Sequence, residues 1–323
     1  MRFFYAFLSF AVTGMLAGCG GSIQEQQQGP TCGTTIVATY PVDGSTNFYY
    51  RDAVEFYLSD ADPTAVVDTE IAGEQYTSED GKTILFVPDQ ALDPLTEYEI
   101  GLDFCHGNPS ISFTTSELGS EIASFNEIEG NTYVFHLEAA RYTAGGEVAA
   151  ALLAIFNKDI LIQILEINTA SIAMRGAVGE SIGGVVEQDI CYRTIDLEEL
   201  GVDSADFYYE DAELVMDFYH TELSFLNLLL SGTFAPDGTW IGGVSLFANV
   251  DVRGLSETLG LGTADDICTY ANELDSPCQP CSNDDEEYCI YIAAEKISAT
   301  AIDLDLERIE ENNSFEECIV EEE

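Results

Sequence analysis

A chain of 323 residues with 46% hydrophobic and 11% aromatic residues can bury enough apolar surface to offset its conformational entropy, which excludes wholesale disorder and makes two domains the default. Its formal charge of −49 excludes nucleic acid as a partner, because a polyanion would be repelled and the scattered cations from Arg51 to Arg308 form no basic patch. The same charge disfavours adsorption to anionic lipid headgroups, so attachment to a membrane needs a covalent source, and no D-x-D-x-D-G loop turns the acidity into a calcium site.

The chain opens with Arg2 and an apolar stretch from Phe3 to Leu16, followed by the small residues Ala17 and Gly18. Residues 1–18 have the form of a secretory leader, shorter than the ~20 residues that span a bilayer and followed by the polar run Gln24 to Gln28. Leu16-Ala17-Gly18-Cys19 resembles the lipobox of bacterial lipoproteins. The resemblance implies that Cys19 carries a covalent lipid, the one cofactor-like group expected, and becomes the first residue after cleavage. Gly20-Gly21 in place of Asp implies sorting to the outer membrane. Several acyl chains on one residue anchor durably, and residues 19–33, rich in Gly and Gln, read as a flexible tether.

From Thr35 to Thr115 short β-like runs alternate with turn residues: Thr35–Thr39, Ala53–Leu58, Val66–Ile71, Thr83–Val87, Glu97–Phe104 and Ile111–Thr115. Asp80-Gly81 marks a hairpin. Tyr98, Ile100, Leu102 and Phe104 share one strand face, with Glu97, Glu99 and Asp103 on the other, so one face is core and the other wet. Tyr40-Pro41-Val42-Asp43-Gly44-Ser45, the stretch Ser78 to Pro88, Leu92-Asp93-Pro94-Leu95-Thr96-Glu97-Tyr98 and Ile111-Ser112-Phe113-Thr114-Thr115 resemble the SbsA-type bacterial Ig-like domain. Over residues 34–117 the resemblance implies an all-β sandwich that spaces, displays or binds partners, with Tyr98 bonding backbone near a sheet corner. Cys32, before the first strand, and Cys105, ending the fifth, are expected to pair in an oxidising compartment. His106 reads as a solvated turn residue.

Residues 118–323 resemble no family and are expected to form an α+β domain with an antiparallel sheet. Asn131–Leu137 reads as a strand. Val148, Leu152, Phe156, Ile160 and Ile164 fall at helical spacing and predict two helices or a bent one. Its charges argue against a membrane span. Glu213–His220, Leu223–Phe234 and Thr239–Val252 predict a meander, and Tyr288–Ala293 with Ile297–Glu307 a further strand pair.

The remaining cysteines are Cys191, Cys268, Cys278, Cys281, Cys289 and Cys318. Export favours three disulfides over a structural zinc at the C-x2-C knuckle or a redox-active pair. Gly179-Glu180-Ser181-Ile182-Gly183 matches the G-x-S-x-G nucleophile elbow, making Ser181 the one enzymatic candidate, but the expected helix start and βα units are missing. His136 and His220 have no metal-ligand spacing, and the acidic run Asn283 to Glu287 reads as a solvated loop. The chain is therefore expected to be a non-catalytic envelope lipoprotein, without metal, whose partners are the membrane and an unidentified protein. The alternative is a carrier of a lipid or other apolar ligand in its C-terminal part.

Overall fold

The computed structural model describes residues 32–150, 158–218, 221–258 and 262–310. Cys19, the leader, the tether through residue 31, His220 and Cys318 lie outside them. From Thr34 onward the chain forms one compact unit, built mostly from β-strands paired antiparallel, with Ser45–Phe48 and Ser110–Thr115 paired parallel.

Two four-stranded sheets come first. One has the order β1 (Ile36–Tyr40), β3 (Val54–Leu58), β6 (Thr83–Pro88), β5 (Gly73–Thr77), and the other β2 (Ser45–Phe48), β8 (Ser110–Thr115), β7 (Glu97–Asp103), β4 (Val66–Asp68). Val54, Phe56, Leu58, Ile84 and Phe86 of the first sheet share one core with Phe48, Ile100, Leu102, Ile111 and Phe113 of the second, so the two sheets face each other as a sandwich. Each such side chain, fully buried, contributes about 1.5–3 kcal/mol. The backbone N–H of Asp93 donates to the Tyr98 hydroxyl at 2.8 Å, the backbone bond expected of that tyrosine. The short strands β2 and β5 were not visible in the sequence. β5 is exposed along its whole length and β2 carries only one buried residue, Phe48, so neither leaves a hydrophobic pattern.

The rest of the chain is dominated by a sheet that closes on itself. In chain order it contains β9 (Thr132–Phe135), β11 (Asp159–Ile167), β12 (Ser171–Ile182), β14 (Ile195–Asp203), β15 (Asp206–Phe218), β16 (Thr221–Phe234), β17 (Trp240–Asp251) and β18 (Cys289–Ile302). Each pairs antiparallel with the next. β18 then pairs with β9, Ala299 opposite Phe135, and the eight strands form an up-and-down barrel. β10 (Arg141–Ala144) continues along β18 beyond β9, and β13 (Val185–Gln188) extends the β12 hairpin. Every strand of the ring sends residues into one cluster that includes Tyr133, Phe135, Ile164, Met174, Leu200, Phe207, Leu230, Phe234, Val244 and Ala299. The interior is thus filled by side chains. Glu166, Glu210, Glu213 and Glu222 are exposed. These carboxylates share the outer wall with exposed Leu165, Tyr208 and Leu229. Among the described residues no helix is long and apolar enough to cross a membrane.

Two expectations for this region need correction. Ile160 and Ile164 lie on strand β11, and only residues 146–150 of the expected helical stretch are helical, with 151–157 outside the described residues. In β11, Ile162 and Ile164 face the barrel core while Leu161 packs outward against Val134, Ala177 and Leu306. A strand covered on both faces loses its alternation, and its continuous apolar run then also fits a helical period. Likewise, Tyr288–Ala293 and Ile297–Glu307 are not two strands. β18 is a single strand to Ile302, interrupted by a left-handed residue at Lys296 (φ 58°), and residues 303–309 form a strap across the barrel wall. The strap is held by Leu306 and by two bonds to Thr194, whose backbone N–H donates to the Ile309 carbonyl and whose Oγ1 accepts from the Ile309 N–H, both at 3.0 Å. Among the described residues, the predicted layer of helices over one sheet face consists of the helix Ala264–Glu273, the short helix Leu255–Thr258 and the helical residues 146–150. They pack Ile267, Ala271, Leu255 and Val148 against Val250, Ile290 and Ile292.

Candidate functional site

The feature that the whole chain converges on is the junction between sandwich and barrel. Two irregularities in the barrel wall create it. Register slips in β17 around Gly242 and Gly243, and the facing strand β18 turns left-handed at Lys296. Such bulges bend a strand and re-aim its side chains. Gly243 (φ 59°) leaves a flat spot that the Tyr49 ring covers, since a Cβ there would lie 2.1 Å from the ring. Ala235 and Trp240, from the β16–β17 hairpin, join the sandwich core together with Tyr49 and Leu118, and the Trp240 indole N–H donates to Glu117 at 3.0 Å.

Two polar clusters flank this apolar seam. In one, the Tyr49 hydroxyl donates to Thr233 Oγ1 (2.8 Å), Thr233 donates to Asp206, and Asp206 also accepts from the Tyr50 hydroxyl (2.8 Å) and pairs with Arg51. A carboxylate only accepts, which fixes the direction of the chain. In the other, Lys296 reaches out from the barrel to Asp52 (3.5 Å) and Glu55 (3.8 Å) on the sandwich, and its ammonium lies over the Tyr40 ring. The Tyr40 hydroxyl donates to Asp52, and Glu55 accepts from Arg141 of β10 and from the Tyr57 hydroxyl. The Glu55 side chain is 3% exposed. Burial pushes Asp52 above and Lys296 below their ordinary values, each toward the neutral form. Burial also acts to raise Glu55, but hydrogen bonds from Arg141 and Tyr57 outweigh it and hold that carboxyl below the usual range. Burial, then Asp52, pushes the Tyr40 hydroxyl well up. The arrangement can fix two sheets in one orientation and keep Asp52, Glu55 and Lys296 largely out of water, while Arg51 and Arg141 stay half exposed.

The residues singled out in the sequence do not assemble into one site. Cys268 bonds to Cys278 and Cys281 to Cys289, so the C-x2-C cysteines each pair with another partner, and all four sulfurs of the proposed zinc knuckle are consumed. Cys32, Cys105 and Cys191 are also disulfide-bonded, in keeping with an oxidising compartment. Ser181 lies near the end of β12, where Gly183 and Gly184, both at positive φ, turn the chain into β13. The motif therefore builds a β-hairpin, and Ser181 Oγ donates to Asp159 at 3.0 Å. His136 contacts Thr300, and His106 is exposed beside the Phe104 ring. In the acidic loop, Asp284 pairs with Arg253. Asp52, Glu55, Arg141 and Lys296 were missed. For Arg141 and Lys296 the one signal was scarcity, ten Lys and Arg against 59 Asp and Glu, and nothing local in the sequence names their partners.

No family model matches the chain, and no curated protein matches it. Among solved structures, the S-layer protein rSbsC(31-844) is similar with a TM-score of 0.20 and 10% identity, over 67% of this chain and 39% of that one. The chain thus spans well under half of that protein, and a likeness of this degree carries no argument about fold or activity.

Proposed function

We propose that this protein is a non-catalytic, exported lipoprotein, held to the outer membrane through Cys19, in which an SbsA-type Ig-like sandwich spaces and orients a filled barrel for contact with a partner protein. The observation that carries this reading is the junction: an apolar seam flanked by two polar clusters packs sandwich and barrel into one compact unit, as suits a spacer. The leader and lipobox motifs support the anchor, and the disulfides support export. Membrane fractionation tests it. Wild-type protein is expected in the membrane pellet and the Cys19→Ser variant in the soluble fraction, and an unchanged distribution would remove the anchor from the proposal.

The observation that favours a second reading, carriage of an apolar ligand, is closure of the sheet into eight strands. Closed eight-stranded meanders elsewhere can hold one small ligand in their interior. Here Tyr133 and Phe207 each meet Phe234 across that space as tilted ring pairs, with centroids 6.0 and 5.2 Å apart, which supports the filled barrel. Native mass spectrometry of the full chain is expected to show protein mass alone, and a bound lipid other than the anchor would favour the carrier.

A further inference from the structure

The junction holds a lysine, an aspartate and a glutamate in mutual reach, and the same three residue types meet once more, inside the barrel wall. Comparing the two sites separates an ion pair from a reactive one. At Lys158, the ammonium lies 2.6 Å from Asp189 and 3.2 Å from Glu180, whose side chain is 40% exposed. Burial works against that charge, but the bonds to Asp189 and Glu180 outweigh it and hold the ammonium firmly protonated. A protonated amine has no lone pair with which to attack, so this site stays an ion pair. At Lys296, burial favours the free amine and, on Asp52, the neutral acid. Asp52 is itself gripped by Tyr40, whose hydroxyl donates to Oδ2, the oxygen on which charge would gather during attack at the carboxyl carbon. Glu55 lies 3.8 Å from the same nitrogen and is kept anionic by Arg141, a base placed to accept a proton. Fixed proximity of this kind replaces a bimolecular encounter with an intramolecular one.

We propose that Lys296 and Asp52 condense into an isopeptide bond that joins barrel to sandwich covalently, with Glu55 as the proton relay. The Lys296 Nζ lone pair forms the new C–N bond to Asp52 Cγ, and the Cγ–Oδ1 bond breaks. Glu55 takes a proton from the attacking amine and returns it to the departing hydroxyl, so amine plus carboxylic acid yields amide plus one water. No oxidation change and no external reactant are involved. The bond turns a polar contact into a permanent link between residues 244 positions apart in sequence, and it does not depend on how the chain is anchored.

Proteolytic digestion of the reduced, full-length protein followed by tandem mass spectrometry is the test. Wild-type protein is expected to give one branched peptide joining the segments that contain Asp52 and Lys296, lighter than their sum by one water. Glu55→Gln, nearly equal in shape, is expected to yield the two segments as separate linear peptides while the protein still melts cooperatively, and Lys296→Arg to do the same. Separate linear peptides from folded wild-type protein would overturn the proposal, as would a branched peptide joining Lys158 to Asp189 in its place. Undiminished branching in Glu55→Gln would remove Glu55 from the chemistry.

Discussion

The sandwich and the barrel are both β-structures with apolar cores, yet their sequences advertise this very differently. In the sandwich, strands such as β7 alternate core and solvent, Ile100 and Leu102 fully buried beside exposed Glu97, Glu99 and Asp103, and turns fall at Gly and Pro. In the barrel, strands are covered from within by the core and in places from without by the strap, so the alternation is lost where packing is most complete. The lesson is that period-2 patterning reports a wet face more than it reports a strand.

The comparison would break most visibly if the two regions unfolded separately. Phe234, at the barrel core, and Phe56, at the sandwich core, are both fully buried, and replacing either by Ala should cost about 3–5 kcal/mol through lost transfer energy plus a cavity. Because Ala235 and Trp240 of the barrel lie within the sandwich cluster, each variant is expected to shift one shared calorimetric transition. A second, unshifted transition in either variant would show that the junction does not couple the two regions.

A smaller effect should come from the stapled loop on the barrel. Cys281 and Cys289 close a short loop and pack on Leu226. Replacing both by Ala should lower stability by about 2–3 kcal/mol in a chain-entropy account of such a loop. Chemical denaturation checks the cost, and hydrogen exchange should show lost protection confined to the loop and the neighbouring part of β16. A loss spreading into the sandwich would mean that the loop supports more than the wall it touches.

How much of this was legible in the sequence follows from which groups are covered and by what. The six predicted strands of the sandwich and the meander of β15, β16 and β17 could be read because each has one exposed face or a clear turn, as at Asp237-Gly238. Closure of the barrel could not be read, since it depends on β18 pairing with β9 across more than half the chain, and no local pattern encodes partners so far apart. Nor could the junction be read, because Lys296 looks like an ordinary surface lysine until the left-handed turn in β18 directs it toward Asp52 and Glu55. The disulfides were legible as a class but not as a connectivity. A C-x2-C pattern invites pairing within itself or around a metal, whereas each sulfur here reaches a different element.

The two regions should also respond to pH at opposite ends of the scale. In the barrel, Lys158 is held above its ordinary value, so its contribution is fully present below the pH at which a free lysine titrates and is lost as pH rises through the folded-state value. Lys158→Met leaves the nearly buried Asp189 without its cation and should cost about 2 kcal/mol at neutral pH, less than a fully enclosed pair would lose. That difference from wild type should close only in strong base. In the sandwich, Asp62 accepts from the Thr64 hydroxyl at 2.6 Å and from the backbone N–H groups of Cys105 and Thr64, both at 2.9 Å, and these bonds hold its carboxyl below the usual value. The sign reverses: its contribution is present above the pH at which a free aspartate titrates and is lost as pH falls through the folded-state value. Asp62→Asn should therefore cost about 1 kcal/mol at neutral pH, the worth of a charge-assisted bond weakened to a neutral one. Stability curves for variant and wild type, measured by urea denaturation at a series of pH values, should converge in acid. Curves that stayed parallel through the acid range would mean that the Asn costs stability through shape alone, and the charge on Asp62 would then have no part in holding the Cys105 turn to the loop between β3 and β4.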